Sequence, residues 1–223
     1  MTARVDAGQI VLILGAKRSG KSTLGTAIAS RFARTFAVIP REEDRLPNSS
    51  FAVGEFAAAA AIREGAHQLS YLPTRDELPR LPEIVDRLVE LLISTRAAWC
   101  VIVHELGDVA DERAVGPALS QVIRQFSARG WVTIFLYQRA YGLPRIITNN
   151  VDHVFLFAMN DPEDVDRAAA LMGRPVRERP LGLPFRFDYY QRTPAGELLY
   201  VDQVRGVARR VRRSDLPDPS GAV

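Results

Sequence analysis

The sequence predicts an α/β domain of three layers, with a mostly parallel central sheet and a C-terminal antiparallel β-hairpin. Three observations predict it. Short apolar, β-branched runs alternate with stretches whose apolar residues recur at helical spacing, the pattern of strands joined by right-handed crossovers. A glycine-rich turn, "GAKRSGKS" at 15–22, lies between one such run and one such helix. After Gly173 the texture changes, and "PFRFDYYQRTPAGELLYVDQV" reads as two strands around a Pro-Ala-Gly turn.

The elements follow in order. Ile10–Leu14 reads as a buried strand, and Lys21–Phe32 as a helix with Leu24, Ile28 and Phe32 on one face. Thr35–Ile39 is a second strand, closed by Pro40, and 41–50 is polar and turn-rich. Phe56–Arg63 is a short alanine-rich helix and Gln68–Leu72 a short strand. Pro82 suits a first helical position, and Ile84, Val85, Leu88, Leu91 and Leu92 line one face behind it. Trp99–Val103 is apolar throughout, as a strand covered on both faces must be. Ala118–Arg129 carries Leu119, Val122, Ile123 and Phe126 at helical spacing, with Gly130 as its stop. Trp131–Tyr137 and Val154–Phe157 are further buried strands. Between Asp161 as cap and Gly173 as stop lies a short helix with Pro162 first and acids in its first turn.

The 223 residues suffice for one sizeable domain, read as 1–204 with a core at about 10–173 and a hairpin at about 184–204. Residues 205–223 form a basic segment and tail. Apolar residues at 47% and charged residues at 25% are ordinary for a globular chain and exclude a disordered one. Net charge is only +3, but the excess is local: "RGVARRVRR", 205–213, holds five arginines and no acid. The single cysteine, Cys100, excludes an internal disulfide, fits a reducing compartment and sits in the apolar run "WCVIV" as a core residue. The apolar run at 10–14 is too short for an export signal, and no stretch approaches the roughly 18 apolar residues of a membrane span. A cytosolic protein is expected.

"GAKRSGKS" fits G-x-x-x-x-G-K-[ST] without mismatch and in the right context, strand before and helix after. Backbone amides of Gly15, Ala16, Lys17, Arg18, Ser19 and Gly20 would wrap phosphate oxygens at a helix N-terminus. Lys21 would reach the β- and γ-phosphates, the Ser22 hydroxyl would ligate Mg²⁺, and Thr23 would add a contact to the α-phosphate. ATP and Mg²⁺ are the expected ligands. Lys17 and Arg18 are unusual extras, either solvated loop charges or sensors of the γ-phosphate or of a neighbouring subunit.

Hydrolysis also needs an acid near Mg²⁺ and a base for the attacking water. In "WCVIVHEL" a buried strand ends at His104 and Glu105, where ligands bind in open α/β sheets. Glu105 can polarise water. His104 stands where aspartate is usual, because Mg²⁺ prefers oxygen, and would touch the metal only through a water of its shell. "TIFLYQRA" repeats the pattern with Gln138 and Arg139. A glutamine amide both donates and accepts, so Gln138 can bridge γ-phosphate and water. The strand-like run between the loop and "VIVHE" favours the class with a strand inserted between loop strand and acidic strand, the glutamate-using ATPases. Lys21, Glu105 and Gln138 are the candidate catalytic set.

These segments together resemble the FtsK–HerA superfamily of DNA-pumping ATPases. "GAKRSGKST" resembles its phosphate loop, and "VIVHELGD" its acidic strand, with Glu105 and Asp108 kept and His104 departing. "SARGWVTIFLYQR" resembles the strand ending in T-Q-R, with Tyr137 departing, and "YGLPRIITNNVDHVFLF" the segment that follows. The resemblance covers about residues 10–157. A bare core with basic residues in the loop is most similar to the genome-packaging ATPases of membrane-containing, tectivirus-like viruses. It implies a homo-oligomeric ring, pentamer or hexamer, that threads double-stranded DNA in the host cytoplasm or at the virion vertex. It also implies an arginine finger acting on the neighbour's ATP, with Arg124, Arg129 and Arg139 as candidates, and a capsid or membrane portal partner. Arg205, Arg209, Arg210, Arg212 and Arg213 are the candidate DNA-phosphate contacts, with such a partner as the rival. Other jobs left open are a conjugation, secretion or filamentous-phage assembly ATPase, a small-molecule kinase, and a non-hydrolysing ATP-binding module.

Overall fold

The computed structural model describes residues 4–110, 115–172, 189–202 and 207–210. Ten strands form one sheet: β1 (Ile10–Leu14), β2 (Thr35–Val38), β3 (Ser50–Val53), β4 (Gln68–Leu72), β5 (Cys100–Val103), β6 (Val132–Tyr137), β7 (His153–Phe157), β8 (Tyr189–Arg192), β9 (Leu198–Asp202) and β10 (Val207–Arg210). Their order across the sheet is β10-β9-β8-β7-β1-β6-β5-β2-β4-β3. From β7 to β3 every pairing is parallel, and β7-β8, β8-β9 and β9-β10 are antiparallel. The predicted parallel sheet with a C-terminal hairpin is therefore present, with β8 and β9 as the hairpin. The part of the hairpin expected at 184–188, and the stop at Gly173, lie outside the described residues.

The helices are α1 (Lys21–Ala29), α2 (Glu55–Arg63), α3 (Leu81–Ser94), α4 (Pro117–Gln121), α5 (Arg145–Asn150) and α6 (Pro162–Met172). None among the described residues is long and apolar enough to cross a membrane. Strand alternation divides the core in two. Ile10, Leu12 and Leu14 of β1 join one cluster with residues of α2, α3, α4, α5 and α6, while Val11 and Ile13 join the other with Ile28 and Ala29 of α1. Both faces are thus covered, which is why β1 is apolar at every position. At about 1.5–3 kcal/mol per fully buried aliphatic side chain, this two-sided burial dominates the fold's stability. Cys100 is one of these core residues, and burial pushes its thiol pKa up.

Three departures from the sequence reading have local causes. The α1 helix stops at Ala29, three residues early, because the chain tightens into Arg31 N–H to Ile28 O and Phe32 N–H to Ala29 O bonds. The helix expected at 118–129 begins at Pro117 but widens into a π turn at Val122–Phe126 and closes as a 3₁₀ turn at Ser127–Arg129. Gly130 then takes φ 81°, and Trp131 N–H reaches back to Phe126 O at 3.1 Å, a Schellman-type stop. Three elements carried no legible signal: β3, a four-residue edge strand with only Ala52 buried, the six-residue α5, and β10, an edge strand inside the basic stretch.

The inserted strand is also not where sequence order suggested. β2, β3 and β4, which precede β5 in the chain, all lie on its far side; the strand between β1 and β5 is β6, which comes later and ends at Gln138. The additional-strand class is correct, and the glutamine strand itself is the addition.

Candidate active site

The loop after β1 is preformed. At Gly15 the backbone takes φ 151°, and an added Cβ would meet Phe157 Cβ at 2.6 Å, so the loop passes too close to β7 for any side chain. Ala16 N–H donates to Ala158 O at 2.8 Å, tying the loop to the end of β7. Gly20, at φ 105°, turns the chain into α1, and Leu24 N–H donates to Gly20 O at 3.0 Å. Helix α1 lies close to the sheet because Gly25 faces Leu136 and Ile102, where a Cβ would stand 3.0 and 3.2 Å away.

Lys21 is only 6% exposed, and its ammonium donates to Gly15 O at 2.8 Å and Ala16 O at 2.9 Å. Burial lowers its pKa, and Glu105 and Asp44 oppose that shift. Around it opens a cavity of about 500 Å³. The loop and the start of α1 contribute Lys17, Arg18, Ser19, Gly20, Lys21, Ser22 and Thr23, the chain leaving β5 contributes Glu105 and Asp108, and the chain leaving β6 contributes Gln138. The two exposed extras, Lys17 and Arg18, thus stand on the cavity wall. Arg18 reaches its place with φ 64°.

Register explains the convergence. Leu14 of β1 pairs with Tyr137 of β6, and Val103 of β5 pairs with Phe135 two residues earlier, so Glu105 comes level with the end of β6 and shares one rim with the loop and Gln138. Glu105 follows β5 at φ 60°, ψ 69°, a left-handed conformation rare for a non-glycine residue. Asp108 closes the 3₁₀ turn Leu106–Asp108, and burial raises its pKa. The Tyr137 ring, which replaces the smaller residue of the T-Q-R pattern, packs on Gly107, where a Cβ would stand 2.8 Å from the ring edge. That contact joins the end of β6 to the acidic turn.

His104 stands differently from its sequence reading. The ladder with β2 continues one residue past β5, through His104 N–H to Val38 O at 3.0 Å, so His104 stays inside the sheet and does not emerge on the rim. It is 3% exposed, is absent from the cavity lining, and neither ring nitrogen has a hydrogen-bond partner among the described residues. Desolvation pushes its pKa down to about 4, against the pull of Asp44, whose Oδ1 lies 3.8 Å from Nδ1. Asp44 does line the cavity, and so do Pro40 and Arg41; the polar stretch after β2 brings them there with no motif to announce them.

The His104 shift carries a stability consequence. Between the ordinary pKa of 6.5 and the folded value of about 4, the unfolded chain takes up a proton that the folded chain refuses. Stability should therefore fall as pH drops through that window and level off below it, by about 3 kcal/mol in all at ~1.4 kcal/mol per unit. Urea unfolding at pH 7.5 and pH 4 should show that excess loss in the parent chain over His104→Gln. Equal losses in the two would contradict a buried, neutral imidazole.

The arginines are scattered. Arg139 lies outside the cavity lining, its guanidinium 3.3 Å from Asp164 and 3.5 Å from Asp161. Asp164 also accepts from the amides of Ala140 and Tyr141 at 2.8 and 2.9 Å, so the start of α6 clamps the turn after Gln138. Arg129 lies over the Phe126 ring, 4.6 Å from its centroid, ahead of β6. It is therefore at the opposite end of the sheet from its own cavity, about 20 Å away along a six-residue strand. Arg124 is exposed on the π turn. Arg209 and Arg210 lie on the edge strand β10, where Arg210 pairs with Glu197. Arg205, Arg212 and Arg213 lie outside the described residues.

The donor set suits a nucleotide carrying its own metal. No cluster of three or more His, Cys, Asp or Glu that could cage an ion exists among the described residues. Mg²⁺ at phosphate sites does not need one, because phosphates, water and one or two protein oxygens suffice, and the oxygens this cavity offers are those of Ser22 and the carboxylates beside it.

A phosphate loop on β1, a glutamate after β5, and a glutamine after the strand between them define a P-loop NTPase fold of the additional-strand type. No protein-family model and no curated protein sequence matches the chain. Among solved structures, it is similar to the DNA-packaging ATPase B204 of Sulfolobus turreted icosahedral virus, with a TM-score of 0.66 at 16% identity over 93% of this chain and 98% of that one. The genome-packaging NTPase B204 of Sulfolobus turreted icosahedral virus 2, in complex with AMPPCP, gives 0.64 at 15% identity over 92% and 97%. The pCW3 conjugation coupling protein TcpA, with ATPγS, gives 0.52 at 14% identity over 85% of this chain and 58% of that one. At 14–16% identity these likenesses show a shared fold.

Proposed function

We propose that this chain is a Mg²⁺-dependent ATPase that drives double-stranded DNA, working as a homo-oligomeric ring that packages a viral genome. The observation that carries the ATPase part is the shared rim: Lys21 and Ser22 on the loop, Glu105 after β5 and Gln138 after β6 all line one cavity. In this scheme the loop amides and Lys21 hold the β- and γ-phosphates. Glu105 takes the proton of the attacking water, and the Gln138 amide orients that water against the γ-phosphate. Bound Mg²⁺ would supply charge neutralisation at the phosphates, with Ser22 as its protein ligand. The DNA part is supported by the "QRAYGLPRI" segment and by the fold shared with a genome-packaging NTPase and a conjugation coupling protein.

A motor that accepts any sequence must grip phosphates, so its response to DNA should weaken steeply with salt. ATP hydrolysis is expected to rise several-fold with duplex DNA at low salt and to lose that rise as salt increases, measured as phosphate release. Turnover indifferent to DNA, with phosphate appearing on a nucleoside or metabolite, would replace the translocase by a kinase.

A further inference from the structure

The hydrolysis scheme gives no work to two side chains that meet beside the cavity, Asp44 and His104. β2 and β5 are neighbours, paired Val38 to Val103, so the chain leaving β2 passes next to the residue leaving β5. That chain turns through a 3₁₀ segment, Glu42–Asp44, pinned by Asp44 N–H to Arg41 O at 3.1 Å. Glu42 and Glu43 are exposed, whereas the Asp44 side chain is 18% exposed and lies on the cavity wall with Lys21, Ser22 and Glu105.

His104 cannot do the work of an acid here. Its ring is buried, it is off the cavity wall, and both its nitrogens lack hydrogen-bond partners among the described residues. Mg²⁺ takes oxygen and gains nothing from a neutral ring that it cannot reach. The nearest oxygen to that ring among the salt-bridging groups is Asp44 Oδ1, 3.8 Å from Nδ1, beyond hydrogen-bond length, so the neutral ring meets the carboxylate by packing. A buried ring that meets a cavity-facing carboxylate from behind fits a support for that carboxylate.

We propose that Asp44 supplies the metal-facing carboxylate of this site, and that His104 is its positioning residue, backing it from the buried side. The charge that strand β5 lacks at position 104 is delivered from the adjacent strand's exit loop. This inference rests on the nucleotide-binding part of the proposed function, not on DNA translocation.

The test reads metal and nucleotide separately. A fluorescent non-hydrolysable ATP analogue is titrated with and without Mg²⁺, Mn²⁺ binding is followed by electron paramagnetic resonance, and phosphate release from ATP is measured on the same preparations. Asp44→Asn should leave metal-free affinity within about twofold and cut the Mg²⁺ enhancement by roughly tenfold, the scale of one lost charge-assisted contact. Adding His104→Asp to Asp44→Asn should restore most of it, because the carboxylate returns from the strand side. His104→Gln alone should weaken Mn²⁺ binding without changing metal-free affinity. Unchanged Mg²⁺ enhancement in Asp44→Asn overturns the proposal. Should that variant fail to fold, Asp44→Ala serves, and an unaltered Mn²⁺ spectrum there overturns it equally. Parent protein that binds Mg²⁺ and nucleotide but releases no phosphate removes the hydrolysis reading while the metal data still decide on Asp44.

Discussion

Glu105→Gln is expected to keep nucleotide affinity within about twofold of the parent and to slow ATP hydrolysis by roughly 100-fold or more, the range a general base contributes. The amide keeps the size of the side chain and its place on the rim but cannot accept a proton. The backbone argues for a functional position. A non-glycine residue at φ 60° costs on the order of 1 kcal/mol and persists only where its surroundings impose it. Here they do: His104 N–H is held by Val38 O on one side and Glu105 O accepts from Asp108 N–H at 3.0 Å on the other. The result directs position 105 into the cavity in line with Gln138 and Lys21. Phosphate release and analogue binding, measured together, check the expectation. Hydrolysis at the parent rate would remove Glu105 from the reaction.

Much of this arrangement was legible in the chain. Strand β1 begins and ends where the apolar pattern places it, because a strand buried on both faces writes itself as a short apolar run. The loop was legible because phosphate binding constrains consecutive residues. What could not be read were relations between strands. Nothing in the local pattern says that β6 and not β2 lies beside β1, since periodicity reports burial but not neighbours. Likewise "VIVHE" shows an apolar run ending at Val103, but the extra ladder bond from His104 to β2, which keeps the imidazole buried, depends on a partner elsewhere in the chain. Asp44 was hidden for the same reason. In "REEDR" it looks like Glu42 and Glu43, and only the packing of β2 against β5 turns it alone toward the cavity. The short elements β3 and α5 bury one residue each, Ala52 and Ile147, too few to make a period.

Lys21→Ala is expected to weaken ATP binding by ten- to a hundredfold and to leave hydrolysis undetectable, a different signature from Glu105→Gln. The ammonium does two jobs. It donates to the carbonyls of Gly15 and Ala16 at 2.8 and 2.9 Å, which holds the loop in its wrapped form. It is also the buried positive charge on a wall that carries Glu105, Asp108 and Asp44, where Lys17 and Arg18 are exposed. Burial works against that charge, while Glu105 and Asp44 work for it. Alanine removes the buried ammonium and leaves only Lys17, Arg18 and Arg41 as positive groups on the wall. Loss of one buried charged hydrogen-bonding group, at about 1.5–3 kcal/mol, corresponds to the ten- to hundredfold range. Analogue titrations and phosphate release, measured on both variants, separate the two roles. Parent-like ATP affinity in Lys21→Ala would mean that the cavity does not hold phosphate through this loop.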